Sequence, residues 1–186
     1  KQMGELQAAT STKSAERSVD ENKEEAPFFI IYSCGQETIQ CWDNKDHRKV
    51  KKAFIQHFPK TAEIDYVAFC HDIERGGSAP TFHMGWNLKN LEAMAETKCF
   101  REDLMSIKHK YERRRRGNTS FNILCLCAYG RHRSVAQATL LGGLLEKLQY
   151  KVRVKHLAKN NWPVARCGGC RDCSRSNDRK FALYEK

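Results

Sequence analysis

Residues 124–136, LCLCAYGRHRSVA, join an apolar strand pattern, a short glycine-containing turn and the start of a helical pattern. Beyond the turn, apolar residues recur at helical spacing at Val135, Ala138, Leu141, Leu145 and Leu148. In a strand–loop–helix unit, the loop N–H groups and the positive end of the helix dipole converge on one point. This stretch therefore predicts an anion site, and above all a site for a phosphate group.

The surrounding sequence alternates between strand and helix patterns. Short apolar or alternating segments at 27–33, 64–70, 121–127 and 150–156 predict strands, and amphipathic segments at 46–58, 87–97, 99–115 and 133–149 predict helices. In the first of these helices, Val50, Phe54, Ile55 and Phe58 form the expected apolar face. This alternation predicts a single α/β domain with a mainly parallel sheet flanked by helices. Ligands of such sheets bind outside the carboxyl ends of the strands.

Composition divides the chain into three parts. Residues 1–26 contain few bulky apolar side chains and predict a disordered tail, residues 27–160 form the domain, and residues 161–186 form a basic extension rich in cysteine. The whole chain carries a net charge of +11; the tail contributes −2, so the remainder carries +13. This excess predicts an anionic partner. No apolar run approaches the length of a membrane-spanning helix.

The spacing of Cys127, Arg133 and Ser134, C-x5-R-S, is typical of cysteine-dependent phosphatases. Cys127 would be the thiolate nucleophile, because only the thiolate attacks phosphorus, and Arg133 would hold the phosphoryl oxygens as charge develops. Ser134 would assist the leaving thiolate. Asp72, in the polar loop after the second strand, is the candidate acid that protonates the leaving oxygen. A cysteine phosphatase is therefore one interpretation of this stretch.

The same stretch resembles the C-terminal domain of the RapZ family of RNase adapter proteins. That family carries the loop C-x-G-G-x-H-R-S-V, which this chain matches at Cys127, Gly130, His132, Arg133, Ser134 and Val135. Tyr129 stands where the family has its first glycine, and in the upstream loop two residues separate Asp72 from Arg75, where the family has one. The resemblance implies a domain that senses a phosphosugar or nucleotide and binds RNA, rather than an established catalyst.

This resemblance makes a binding module the favoured interpretation. Leu126 precedes Cys127 where phosphatases usually have a histidine, and His132 precedes Arg133 as in RapZ-like domains. The predicted phosphate ligands are the loop residues Cys127, Tyr129, Gly130, Arg131, His132, Arg133 and Ser134, together with Asp72 and Arg75 from the neighbouring loop. A third interpretation, a buried structural cysteine followed by exposed arginines, stays open.

Two basic segments suit contacts with RNA. The candidate residues are Arg113, Arg114, Arg115 and Arg116 at the end of one helix, and Lys151, Arg153 and Lys155 on the last strand. Tyrosines at 111 and 150 lie among them, and aromatic rings beside arginines favour phosphate contacts and base stacking. The alternative is a solvated helix end whose cations complement the helix dipole. The arginine run also resembles a nuclear-import signal.

Nine cysteines, an odd number, do not suggest a secreted disulfide framework and favour a reducing, cytoplasmic compartment. Cys167, Cys170 and Cys173 form C-x2-C-x2-C with two glycines in the first spacer, a spacing that lets thiolates face one metal ion. Zinc needs a fourth ligand, for which His156 at a strand end is the candidate. The sequence thus predicts a structural zinc site, with a free-thiol tail as the alternative.

Overall fold

The computed structural model describes residues 28–43, 46–70, 84–114 and 120–159. Its elements follow the order β1 (Phe28–Gly35), α1 (Gln36–Ile39), α2 (His47–His57), β2 (Tyr66–Phe69), α3 (Leu88–Ala95), α4 (Lys98–Arg114), β3 (Phe121–Cys127), α5 (Arg133–Lys147) and β4 (Lys151–His156). All eight predicted strands and helices are present. The four-residue α1 was not predicted, because one turn is too short to produce a periodic apolar pattern.

The four strands form one parallel sheet in the order β2-β3-β1-β4. This confirms the predicted α/β class. β3 lies between β2 and β1, and all seven of its residues are buried. Such continuous burial follows from helices that cover both faces of a parallel sheet.

Two apolar clusters cover the two faces of the sheet. On one face, α3, α4 and α5 pack against alternate residues of β1 and β3, among them Ile31 and Ile123. On the other face, α2 packs Val50 and Phe54 against Leu124. Ile55, expected on the apolar face of α2, is instead 37% exposed, because it lies one residue past the buried stripe. We call these two layers the α5 side and the α2 side.

Gly142 explains how closely α5 approaches the sheet. A Cβ atom at this position would lie 2.7 Å from Cγ2 of Val154 on β4. Glycine lowers the stability of a helix relative to alanine, but here it allows the short distance between α5 and the edge strand.

The connections of β1 and β3 leave these adjacent strands in opposite directions. The chain passes from β1 to β2 through α2 on one face, and from β3 across β1 to β4 through α5 on the other. A crevice opens outside the carboxyl ends of two strands that diverge in this way, and in open α/β sheets ligands bind there. The loop after β3 begins at this point.

Several predictions concern residues outside the described ranges. They include the tail, the cysteine-rich extension, and the loop that holds Asp72 and Arg75. Among the helices that the structure describes, none combines the length and apolar character needed to cross a membrane.

Candidate functional site

The loop between β3 and α5 contains five residues, 128–132, and turns sharply at its centre. Gly130 has φ +65°, a left-handed conformation that L side chains rarely adopt. A Cβ atom there would also lie 2.5 Å from the backbone nitrogen of Gly35, at the end of β1. The loop therefore needs glycine at this position for two independent reasons, and its backbone is pressed against the carboxyl end of β1.

Backbone hydrogen bonds hold the loop on both sides. The carbonyl of Ala128 accepts from the Glu37 N–H at 3.1 Å, which ties the loop to α1. The carbonyl of Arg131 accepts from the Gly85 N–H at 3.0 Å, which ties it to the segment before α3. With carbonyls engaged in this way, the path of the loop is fixed by its own backbone contacts.

The N-terminus of α5 differs from those of α2 and α3. In α2 the Asp46 side chain accepts from the N–H groups of Arg48 and Lys49, and in α3 the Asn87 side chain accepts from the Lys89 N–H. In α5 the N-cap residue, His132, makes no side-chain cap hydrogen bond, and the first turn contains no acidic residue. The positive end of this helix dipole is thus left without a carboxylate or an N-cap side chain to complement it.

Cys127 and Ser134 meet beneath the first turn of α5. The Cys127 Sγ lies 3.1 Å from the Ser134 Oγ, and the residues are 4% and 0% exposed. Cys127 is the last residue of β3 and faces the α5 side, so its thiol is packed between the sheet and the helix. Two residues of the predicted site are therefore in direct contact, although in a buried position.

A cleft of about 460 Å³ lies where the connections of β1 and β3 diverge. Two predicted loop residues, Tyr129 and Arg131, line it, and so do Glu37, Thr38 and His57 from α1 and α2. The last three were not predicted, since no local motif surrounds them and only the sheet order places them beside the loop. We call this space the switch-point cleft.

Within the switch-point cleft, a guanidinium group lies over an aromatic ring. The Cζ of Arg131 lies 5.2 Å from the ring centroid of Tyr129, whose residue is 53% exposed. The Nε of Arg131 is buried and has no hydrogen-bond partner among the described residues. A buried guanidinium N–H without an acceptor is costly.

A buried polar network anchors α5 one turn after the loop. The Gln137 amide donates to Asp103 of α4 at 2.5 Å and accepts from the Cys70 thiol at 2.9 Å. The second oxygen of Asp103 accepts from the Tyr66 hydroxyl at 2.5 Å, while Cys99 lies 3.8 Å from the carboxylate. Burial raises the pKa of Asp103, against the opposing effect of these hydrogen bonds.

The sequence did not reveal this network, because Asp103 lies on an amphipathic helix where an acidic residue normally faces solvent. Burial also raises the pKa values of Tyr66 and Cys70, so both remain protonated donors at neutral pH. The network connects α4, α5 and β2 through directional bonds. It thereby fixes the rotation of α5, and with it the first turn that follows the loop.

The predicted RNA-binding residues fall into two groups. Lys151, Arg153 and Lys155 are exposed and alternate along the edge strand β4, with the cationic groups of Arg153 and Lys155 5.5 Å and 5.7 Å from aromatic ring centroids. Arg113 is exposed, but Arg114 forms an ion pair with Asp65. Because Arg114 already pairs with a carboxylate, a phosphate group would have to compete with Asp65 for it. Residues 115 and 116 lie outside the described ranges.

His156, the candidate zinc ligand, lies at the end of β4. Its Nδ1 is 2.7 Å from the Ser33 Oγ, and its ring centroid lies 5.9 Å from that of Trp86. The described part of the chain contains no group of three or more residues able to hold a metal ion. The cysteines 167, 170 and 173 fall outside that part, so the zinc site stays a prediction.

The fold and the loop together define a class of protein. This class is a parallel α/β domain in which a central strand leads, through a tight glycine turn, into a helix without a side-chain N-cap. Within this class, residues 88–160 match the family model of the RapZ C-terminal domain. This segment runs from α3 through β4 and contains the whole loop, and the match confirms the resemblance found in the sequence. No curated protein and no solved structure matches the chain.

Proposed function

We propose that the loop of residues 128–132 and the first turn of α5 bind the phosphate group of a small molecule or of RNA. The observation that carries this proposal is the N-terminus of α5, which starts at the switch point of the sheet without a side-chain cap. An anion at this position interacts favourably with the helix dipole and with backbone N–H groups. Arg131 and Arg133 supply guanidinium groups whose planar donors suit phosphate oxygens.

The family match supports a binding role. The RapZ family consists of RNase adapter proteins, and a similar domain here would bind a phosphosugar, a nucleotide or RNA. The family motif includes His132, Arg133 and Ser134, which surround the start of α5 in this chain. Asp72 and Arg75 would complete the pocket from the loop that follows β2.

Inorganic phosphate tests the proposal most directly. We expect saturable chemical-shift changes at the backbone amides of residues 129–134 during titration with phosphate. Arg133→Ala should weaken binding about tenfold, because a charge-assisted hydrogen bond contributes roughly 1.5–3 kcal/mol. Arg153→Ala, which removes an exposed arginine from β4, is the matched control. Shift changes that are spread over the whole basic surface, or an equal loss in both variants, would contradict a specific site.

A second candidate function, phosphate-ester hydrolysis, is favoured by the 3.1 Å contact between Cys127 and Ser134. The Cys127 thiolate would attack phosphorus while the ester P–O bond breaks and Asp72 protonates the leaving oxygen. Water would then cleave the phosphocysteine and release phosphate and the thiolate, which the Ser134 hydroxyl stabilises. Turnover of p-nitrophenyl phosphate that disappears in Cys127→Ser would support this function. No turnover, with phosphate binding retained in that variant, supports the binding module.

RNA binding would use the exposed cations of β4. Lys151, Arg153 and Lys155 lie on one side of the strand, so a phosphate backbone could follow them. We expect affinity for single-stranded RNA to fall steeply with salt, and Arg153→Ala to reduce the slope of that dependence by about one. An affinity that does not change between low and high salt would rule out this mode.

We further propose that Cys167, Cys170, Cys173 and His156 bind one structural zinc ion. The contact between the Ser33 Oγ and the Nδ1 of His156 orients the imidazole ring at the end of β4, as second contacts of a metal-binding histidine do. Thiolate ligation also suits the reducing, cytoplasmic compartment that we propose for the protein. Purified protein should contain one equivalent of zinc, lowered in His156→Ala but not in the control His109→Ala. Protein without zinc before chelation would disprove the site.

A further inference from the structure

We infer that the switch-point cleft receives the nucleoside half of a ribonucleotide whose phosphate occupies the adjacent loop. This inference rests on the proposed phosphate site and names its ligand class. Tyr129 and Arg131 belong to both places, since they are loop residues whose side chains line the cleft. One ligand can therefore reach from the start of α5 into the cleft. The volume, about 460 Å³, lies within the range of small-molecule sites.

The exposed ring of Tyr129 can stack on a planar group of a ligand. More than half of the residue is exposed although the ring is large and apolar, and Arg131 lies against the ring at 5.2 Å. Aromatic and guanidinium planes are the surfaces on which proteins stack unpaired bases. A phosphosugar has no base, so it would make no stacking contact with the Tyr129 ring.

The buried Nε of Arg131 supports a ligand at this position independently. This atom has no acceptor within the described part of the chain, although its guanidinium group lies over the Tyr129 ring. A movement of the side chain on binding would expose this atom to an oxygen of the ligand, from the phosphate or the ribose, which would supply the acceptor. The site thus contains a donor that the folded protein itself does not satisfy.

Glu37 places a negative charge in the cleft, in contrast to the basic loop beside it. Its carboxylate is exposed and forms no ion pair with any described residue, while its backbone N–H holds the loop through Ala128. A carboxylate repels a second phosphate group but accepts hydrogen bonds from the hydroxyls of a ribose, as acidic residues do in dinucleotide-binding folds. The cleft therefore favours the uncharged half of the ligand, with the ribose toward Glu37 and the base toward Tyr129.

Calorimetric titration with six ligands tests the inference. The probes are uridine and adenosine 5′-monophosphates, their 2′-deoxy counterparts, ribose 5-phosphate, and inorganic phosphate. We expect the ribonucleotides to bind about tenfold more tightly than ribose 5-phosphate, because stacking on an aromatic ring contributes that much or more. The 2′-deoxy forms should bind more weakly than the ribonucleotides.

Variants test separately the stacking of the base on Tyr129 and the hydrogen bonds of the ribose to Glu37. Tyr129→Leu should abolish the preference for a ribonucleotide over ribose 5-phosphate, and Tyr129→Phe, which keeps the ring, should retain it. Glu37→Ala should remove the preference for ribose over deoxyribose, whereas Glu92→Ala, an exposed glutamate of α3, should not. Ratios of affinities are compared, so that any effect on the phosphate itself cancels.

The outcomes distinguish this inference from the proposal on which it rests. Binding of phosphate and ribose 5-phosphate, with no gain from a base, would overturn the nucleoside cleft and leave the phosphate site intact. A preference for the base that survives Tyr129→Leu would also overturn it. Absence of binding for all six ligands would overturn both the nucleoside cleft and the phosphate site.

Discussion

The two sides of the sheet hold their helices in different ways. On the α2 side, helix and strands meet through rings and aliphatic chains, such as Phe54 against Tyr32 and Phe58. On the α5 side, a similar apolar layer also contains Asp103 and Gln137, joined by a hydrogen bond between α4 and α5. Apolar packing fixes distance, whereas hydrogen bonds also fix direction. The helix that starts at the candidate site is therefore held by a directional bond as well as by apolar packing.

The largest effect should follow from Phe54→Ala on the α2 side. Phe54 is fully buried, and removal of a buried aromatic ring lowers the free energy of unfolding by about 3–5 kcal/mol. Because the backbone hydrogen bonds that hold the loop join it to Glu37 and Gly85 rather than to α2, phosphate affinity below the unfolding transition should stay unchanged. Urea unfolding and phosphate titration measure the two quantities.

Phe54→Leu is the milder control for this variant, with an expected loss smaller than that of alanine. A large drop in phosphate affinity in a folded Phe54 variant would mean that the two sides of the sheet are not independent.

Asp103→Ala on the α5 side should destabilise the fold by about 2–3 kcal/mol, since it leaves the Tyr66 hydroxyl and the Gln137 amide without their acceptor. Unlike Phe54→Ala, it should also weaken phosphate binding several-fold, because α5 loses its directional anchor. The exposed neighbour Glu102, which forms an ion pair with Lys98, provides the control Glu102→Ala, with an expected loss below about 1 kcal/mol. Normal phosphate affinity in Asp103→Ala would show that packing alone positions the loop.

The pH dependence of stability should also differ between the two sides. Burial raises the pKa of Asp103 above its ordinary value of 3.8, so the folded state holds this proton to higher pH than the unfolded state. The folded protein therefore binds more protons in that window, and this group's contribution to the unfolding free energy falls as pH rises through it. Compared with Asp103→Asn, the wild type should lose stability as the pH rises above 3.8. A difference between the two proteins that stays constant with pH would contradict this assignment.

The smallest effect concerns the two adjacent glycines of α5. Gly142→Ala should destabilise the protein by about 1 kcal/mol, since contact with Val154 outweighs the gain in helix propensity. Gly143→Ala, on a partly exposed position, should instead stabilise it by up to about 1 kcal/mol. Thermal unfolding of the two variants compares them directly. Stabilisation by both would mean that α5 can move away from β4 at little cost.

Much of this architecture was predictable from the sequence. The predicted bounds of β3 agree with the structure, because a short apolar run followed by a glycine turn leaves few alternatives. The strand order, and with it the approach of Glu37 and His57 to Tyr129, was not predictable, since local patterns contain no information about which strands pair. The burial of Asp103 was not predictable for a similar reason. Only tertiary packing decides whether a carboxylate on an amphipathic helix is buried as a hydrogen-bond acceptor.

The central position of β3 has a consequence for the order of folding. Among the strands described here, β1 pairs with β3 and β4, and β2 pairs with β3 alone. During synthesis on the ribosome, both early strands must therefore wait until the chain has emerged as far as Cys127. Until then their N–H and C=O edges lack a partner, and pairings so distant in sequence form slowly. A nascent chain halted before β3 would be exposed to aggregation, so the segment that ends in the candidate site is also the one whose arrival first allows β1 and β2 to join a sheet.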